Sequence, residues 1–262
     1  MTEPADPADA PMAPRPAAAQ ARRQRIQPLN RPFRDRTVAE AEGVNPHVAL
    51  HRELPDVIPA ENAASFRGRW ADAFASPGPV ILEIGSGNGF YLSGMAAQRP
   101  ELRWLGLELR FKRVVLAARK LQVAGLTNGR LVRFDAYNLD RIFSAGELAG
   151  VHINHPDPWA KDRQAHRRII SLPILSQLAG FVRSGGELRL KTDFKPHIEA
   201  LLECVDQLRL AAGEATAPWS VIGTSDDILH TGAPWSNDVC TNYQRKFNEK
   251  GLPVYGAWLR RG

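Results

Sequence analysis

From Pro79 onward the chain alternates short apolar runs with longer stretches of helical period, and this alternation limits its fold more than any other feature. It is the pattern of an α/β sheet whose strands run mostly parallel. Strands are expected at about Val80 to Ile84, Trp104 to Leu109, Leu131 to Phe134, Val151 to Asn154 and Glu187 to Lys191. Helical patterns fall between them, at Phe90 to Gln98, Lys112 to Ala124, Arg167 to Val182 and Pro196 to Leu210. Gly185 and Gly186 are read as the stop of one helix and the opening of the next strand. With 262 residues, 44% of them hydrophobic, one large core is within reach. Residues 41 to 262 are expected to build it as a single domain, and residues 1 to 40 to lie outside it as a disordered extension rich first in Ala and Pro, then in Arg.

The most informative stretch is VILEIGSGNGFYL, residues 80 to 92, in which an apolar strand runs into Gly85, Gly87 and Gly89 and then into a helix. Glycines there supply the dihedrals of a tight turn and let a ligand lie against the backbone. A dinucleotide fingerprint has the spacing G-x-G-x-x-G, with a pyrophosphate on the helix N-terminus. This chain has G-x-G-x-G, with Glu83 two positions ahead. An acid there repels a diphosphate and attracts a cation, which favours S-adenosylmethionine, with its sulfonium and amino group, over NAD. A plain strand-to-helix turn is the bland alternative. Two more acids follow at the ends of the next two strands. Glu108, in GLELR, is placed to accept from ribose hydroxyls, and Asp135, in VRFDAYNL, from an adenine amino group. Either alone reads equally as a surface acid or a helix cap. Three acids at successive carboxyl ends of a parallel sheet occupy the edge where such folds bind ligands.

After the fourth strand comes HPDPWAKDRQAHRR, residues 155 to 168. Pro156 and Pro158 bias His155 and Asp157 toward extended backbone, so that Asp157 is held stiffly at the ligand edge. Trp159 offers a face on which a base can stack. Lys161, Arg163, Arg167 and Arg168, with His166, outnumber the one nearby acid, Asp162, and cations at the start of a helix oppose its dipole, which a phosphate partner would explain. The chain carries a net charge of +6, and between Arg15 and Arg36 seven arginines face one acid, Asp35. That segment reads as a solvated tail or as an arm that touches RNA phosphates. Cys204 and Cys240 lack metal-ligand spacing and are expected to be ordinary packing or surface residues, with no metal site. No apolar run approaches the roughly 20 residues of a spanning helix, so a cytoplasmic protein is expected.

These motifs together resemble the bacterial tRNA (guanine-N7)-methyltransferases, class I S-adenosylmethionine-dependent enzymes, over about Val80 to Arg260. LEIGSGNG, GLELR, HPDPWAKDRQAHRR, LKTDF and TNYQRKFNEKGLPVYGAWLRR stand in the family's order and spacing. The resemblance implies a Rossmann-like sheet, mostly parallel with an antiparallel C-terminal strand and helices on both faces. It implies methyl transfer from S-adenosylmethionine to N7 of a guanine in the tRNA variable loop. Glu83, Gly85, Gly87, Gly89, Glu108, Asp135 and Asp157 would hold the donor, with Asp157 also the catalytic acid. Lys161, Asp193, Thr241, Asn242, Tyr243 and Gln244 would bind substrate, and Trp159, Arg163, His166, Arg167 and Arg168 would contact RNA. The partner implied is tRNA, with no obligate protein subunit; the chain would act as a monomer or homodimer. Two departures are visible: Ser86 and Asn88 stand where the family usually has Phe and Met, and Gln244 where it commonly has Glu. A class I methyltransferase for another RNA or a small molecule, and a non-catalytic RNA-binding module, are the alternatives.

Overall fold

The computed structural model describes residues 45–159 and 162–262; the expected N-terminal extension lies outside the described residues. Strands β1 (Val57–Ile58), β2 (Val80–Ile84), β3 (Arg103–Glu108), β4 (Gly129–Arg133), β5 (Leu148–Asn154), β6 (Val182–Thr192), β7 (Trp219–Ser225) and β8 (Tyr255–Arg261) form one sheet. Their order is β1-β4-β3-β2-β5-β6-β8-β7. All pairs from β1 to β6 are parallel, and β8 runs antiparallel to both β6 and β7. The helices that matter for the site are α1 (Pro46–Glu53), α2 (Phe90–Gln98), α3 (Phe111–Val123), α4 (Leu172–Phe181), α5 (Pro196–Ala212) and α6 (Asn242–Asn248).

Every residue of β2 and β3 is buried, as a parallel sheet covered on both faces requires. The period of two then assigns the faces. Val80, Leu82 and Ile84 pack with Ile174, Leu175 and Leu178 of α4 and Ile198, Leu201 and Val205 of α5. Ile81 turns the other way, to Tyr91, Leu92 and Met95 of α2 and Val114, Ala117 and Leu121 of α3. Glu83 shares that second face and is buried, with a relative exposure of 2%.

The five strands and four helices expected from the sequence are all present. One helix is shorter than its apolar pattern. Of the stretch expected as helical from Arg167 to Val182, Arg167 closes a 3-10 helix over Asp162–Arg167, and α4 begins only at Leu172, after Ser171 and with Pro173 in its first turn. Arg167 and Arg168 therefore do not crowd an α-helix N-terminus, and the dipole argument for a phosphate partner loses its basis. Gly185 and Gly186 also fall inside β6, four and five residues past the last residue of α4. A Cβ on Gly186 would meet the Val182 side chain at 2.5 Å and the Ala149 carbonyl at 2.8 Å, so close strand contact, and not a helix stop, requires the glycine.

Candidate active site

The strand order reverses between β2 and β5, so their carboxyl ends border the crevice where open α/β sheets bind ligands. Glu83 of β2 and Asn154, the last residue of β5, meet there: Asn154 Nδ2 donates to Glu83 Oε1 at 3.0 Å. Glu83 Oε2 is buried and has no partner among the described residues. Burial, offset only in part by Asn154 and the Lys191 charge, pushes this carboxyl from its ordinary 4.5 up to about 7. An orphaned carboxylate oxygen in a low-dielectric site is matched by a cationic N–H donor, and the amino group of S-adenosylmethionine fits that requirement.

The glycine loop is closed on itself. Gly85, Gly87 and Gly89 have φ of +78°, +54° and +76°, the left-handed region that residues with a Cβ enter rarely. The Gly85 and Ser86 amides both donate to the Leu107 carbonyl at 2.9 Å, Gly87 N donates to Glu108 Oε2 at 3.1 Å, and Gly89 N donates to the Ser86 carbonyl at 2.9 Å. Those amides are spent within the protein, which does not suit a pyrophosphate cradle. Glu108 Oε1 accepts from Leu109 N and Arg110 N, both at 2.9 Å. Of roughly four lone-pair sites on a carboxylate, three are thus occupied, leaving about one for a ribose hydroxyl. Asp135 is half-buried and uses Oδ1 to cap a turn of 3-10 helix, accepting from Tyr137 N at 3.0 Å.

On the other side of the crevice a buried lysine ties three segments together. Lys191 of β6 is fully buried, and its Nζ donates to Asp238 Oδ2 at 2.7 Å, Val239 O at 3.0 Å and Gln244 Oε1 at 2.8 Å. Burial pulls the ammonium below its ordinary range, and the Asp238 carboxylate opposes that. Because Asp238 already matches the charge, the neutral Gln244 fits where a glutamate would add a second buried anion. Thr241 caps α6 by accepting from Gln244 N at 2.8 Å, Asn242 Oδ1 accepts from Arg245 Nη2 at 2.8 Å, and Tyr243 stays 50% exposed.

The loop carrying Asp238 is anchored from below. Tyr91 Oη and Glu187 Oε1 flank the buried His152 ring at 2.9 and 3.2 Å, Trp258 Nε1 donates to Glu187 Oε2 at 3.0 Å, and Arg189 Nη2 lies 2.9 Å from Glu187 Oε1. The Arg189 guanidinium packs over Trp235, whose Nε1 donates to Asp238 Oδ1 at 3.2 Å.

The segment after β5 differs from its expected course at His155. Its φ is +46°, not extended, because its amide continues the β5–β6 pairing by donating to the Lys191 carbonyl at 2.7 Å while its ring is held by Asp193. Asp157, three residues past the end of β5, is exposed. Arg168 directs Nε and Nη2 at the Trp159 carbonyl, at 3.1 and 3.0 Å, and the Arg167 guanidinium covers the Trp159 ring at 4.9 Å. Arg163 and Arg167 are exposed. Lys161 and the His166 side chain lie outside the described residues. Sequence reading gave no role to Lys191, Asp238, Asn154 or His155; in a strand that alternates charged and apolar residues, Glu187-Leu188-Arg189-Leu190-Lys191, nothing local marks Lys191 for burial. Cys204 is buried and Cys240 exposed, both as free thiols. No helix among the described residues is long and apolar enough to cross a membrane.

Residues 77–257 match a family model described as "Putative methyltransferase". The tRNA (guanine-N(7)-)-methyltransferase of Bacillus velezensis is 32% identical over 79% of this chain and 94% of its own length. That of Streptococcus thermophilus is 30% identical over 83% and 95%, and that of Listeria welshimeri 32% over 78% and 89%. Among solved structures, an antibiotic-related methyltransferase aligns over 70% of this chain and 88% of its own with a TM-score of 0.52 at 12% identity, a likeness of fold. The glycine loop, the reversal between β2 and β5 and the C-terminal α6 segment all lie within the matched region, and the chain belongs to the tRNA (guanine-N(7)-)-methyltransferase family.

Proposed function

We propose that this chain transfers a methyl group from S-adenosylmethionine to N7 of a guanine in the variable loop of tRNA, acting in the cytoplasm as one domain from about residue 41. The observation that carries the reading is the convergence of Glu83, Asn154, Asp193 and the Lys191–Gln244 pair on one sheet edge, from segments far apart in sequence. Glu83 would hold the donor's amino group, Glu108 a ribose hydroxyl and Asp135 the adenine, beside the loop of Gly85, Gly87 and Gly89. Bound there, S-adenosylmethionine supplies an electrophilic methyl on a sulfonium.

Guanine N7 carries an in-plane lone pair, so no base is needed before attack. The protein's work is to align N7 with the methyl and to favour positive charge that moves onto the purine. Asp157 serves as the positioning and electrostatic group, and Asp193 with Thr241 to Gln244 receives the base. Trp159, Arg163 and Arg167 would contact the RNA, with the exposure of the two arginines in support, and Lys161 and His166 are assigned by resemblance alone. The test is mass spectrometry of nucleosides from tRNA incubated with enzyme and donor. N7-methylguanosine is expected, lost when the variable-loop guanine is replaced; its absence from a good substrate tRNA refutes the assignment.

A further inference from the structure

Among the described residues His155, like Trp159, has its backbone in the left-handed region, and its side chain is only 3% exposed. A residue other than glycine stays in that region only where its surroundings over-determine it, and such positions gather at functional sites. Here the surroundings come from three segments. The amide is fixed to β6 through the Lys191 carbonyl, and Nδ1 lies 2.9 Å from Asp193 Oδ1. The ring lies against Tyr243 and Phe247, one turn apart on α6, with centroids 5.7 and 6.3 Å away and planes inclined by 26° and 13°. Burial alone would raise the Asp193 carboxyl, but the His155 bond and its own backbone amide keep it below the ordinary range. An ionised carboxylate only accepts, so the imidazole Nδ1–H donates. Nε2 is buried and without a partner among the described residues.

We infer that His155 is a positioning residue for the target guanine: it supports the exposed Tyr243 ring as the face on which the base lies, and it fixes one Asp193 oxygen so that the other meets the base's N–H edge. The inference rests on the proposed activity and extends it to the first residue of the HPDPWAKDRQAHRR block, which the resemblance leaves without a role. Its chemistry is specific. Guanine presents N1–H and N2–H donors side by side, which an oriented carboxylate can accept, while the Tyr243 face receives the purine plane.

Kinetics on the full chain with tRNA separate the two contacts. His155→Phe keeps an aromatic ring and removes the donor. It should raise KM for tRNA about tenfold with a smaller fall in kcat, and leave S-adenosylmethionine affinity by calorimetry and Tm near wild type. Combined with Asp193→Asn it should cost no more than Asp193→Asn alone. His155→Asn tolerates the left-handed backbone and keeps a donor for Asp193 while removing the ring, so it serves even where phenylalanine does not fold. Combined with Tyr243→Ala it should weaken tRNA binding no further than Tyr243→Ala. Wild-type KM in His155→Phe, or effects that multiply in either pair, overturns the assignment. Wild-type enzyme that makes no N7-methylguanosine removes the functional reading and this inference together; activity in the wild type with unchanged variants removes only the inference.

Discussion

Glu83 illustrates how one residue's surroundings convert an ordinary carboxyl into a proton-linked receptor. Its raised value, about 7, means that the folded protein binds a proton that the unfolded chain has released. The stability this contributes is complete below about pH 4.5 and is lost as pH rises through about 7, so unliganded protein should melt at lower temperature at pH 8 than at pH 6. Glu83→Gln should flatten that slope in a thermal-denaturation series. A cation brought against the carboxyl favours its ionised form. Binding of S-adenosylmethionine near pH 6.5 should therefore release a proton, seen as a dependence of calorimetric heat on the buffer's ionisation enthalpy. Equal heats in phosphate and Tris would mean that the donor's amino group lies elsewhere. Asp157 presents the opposite case, an exposed acid. Asp157→Ala should lower turnover at least a hundredfold, about 3 kcal/mol of transition-state stabilisation, with donor affinity within a few-fold of wild type. Comparable losses in both would make it a donor ligand only.

At the scale of elements, the glycine loop works by letting α2 and α3 touch. A Cβ on Gly89 would meet the Ala117 Cβ at 2.6 Å and its Cα at 2.7 Å, whereas one on Gly85 meets nothing within 4 Å. Both glycines have positive φ, so the two substitutions share a conformational cost and differ in the clash. Gly85→Ala should cost about 1 kcal/mol and Gly89→Ala about 2 kcal/mol or more, read as a larger fall in Tm for the second. Equal losses would show that helix contact does not set the loop. A similar contact lies at the other end of the site, where Gly94 of α2 faces Val239, with its Cγ1 at 2.7 Å from a Cβ placed there. The segment that carries Asp238 to Lys191 thus rests directly on the helix that follows the glycine loop, and the two halves of the crevice are mechanically joined.

For the whole molecule the question is how a chain of net charge +6 meets a polyanion. The basic residues after β5 are not equivalent in the fold. Arg168 is committed to the Trp159 carbonyl and so shapes the loop, while Arg163 and Arg167 face solvent. Replacing Arg163 and Arg167 by alanine should reduce the slope of log affinity for tRNA against log salt by about 1 to 2, measured by filter binding from low to moderate salt. Arg168→Ala should instead lower Tm and disturb binding at every salt concentration, with little change in slope. An unaltered slope in the double variant would remove these arginines from the RNA interface.

Much of this molecule was already written in local pattern. The strand-and-helix alternation from Pro79, the three glycines and the acids Glu83, Glu108 and Asp135 depend on period, turn dihedrals and position along a strand, which neighbouring residues decide. Local pattern failed where a contact from far along the chain took over. The helix expected from Arg167 starts at Leu172, where Ser171 and Pro173 mark its first turn, and His155 leaves extended backbone because β6 and Asp193 hold it. Above all, the pairing of Lys191 with Asp238 and Gln244 joins positions 47 and 53 residues apart. Such pairs carry no sequence period. They form only when the sheet has brought β6, the loop before α6 and α6 itself to one edge, where a buried charge must find its partner.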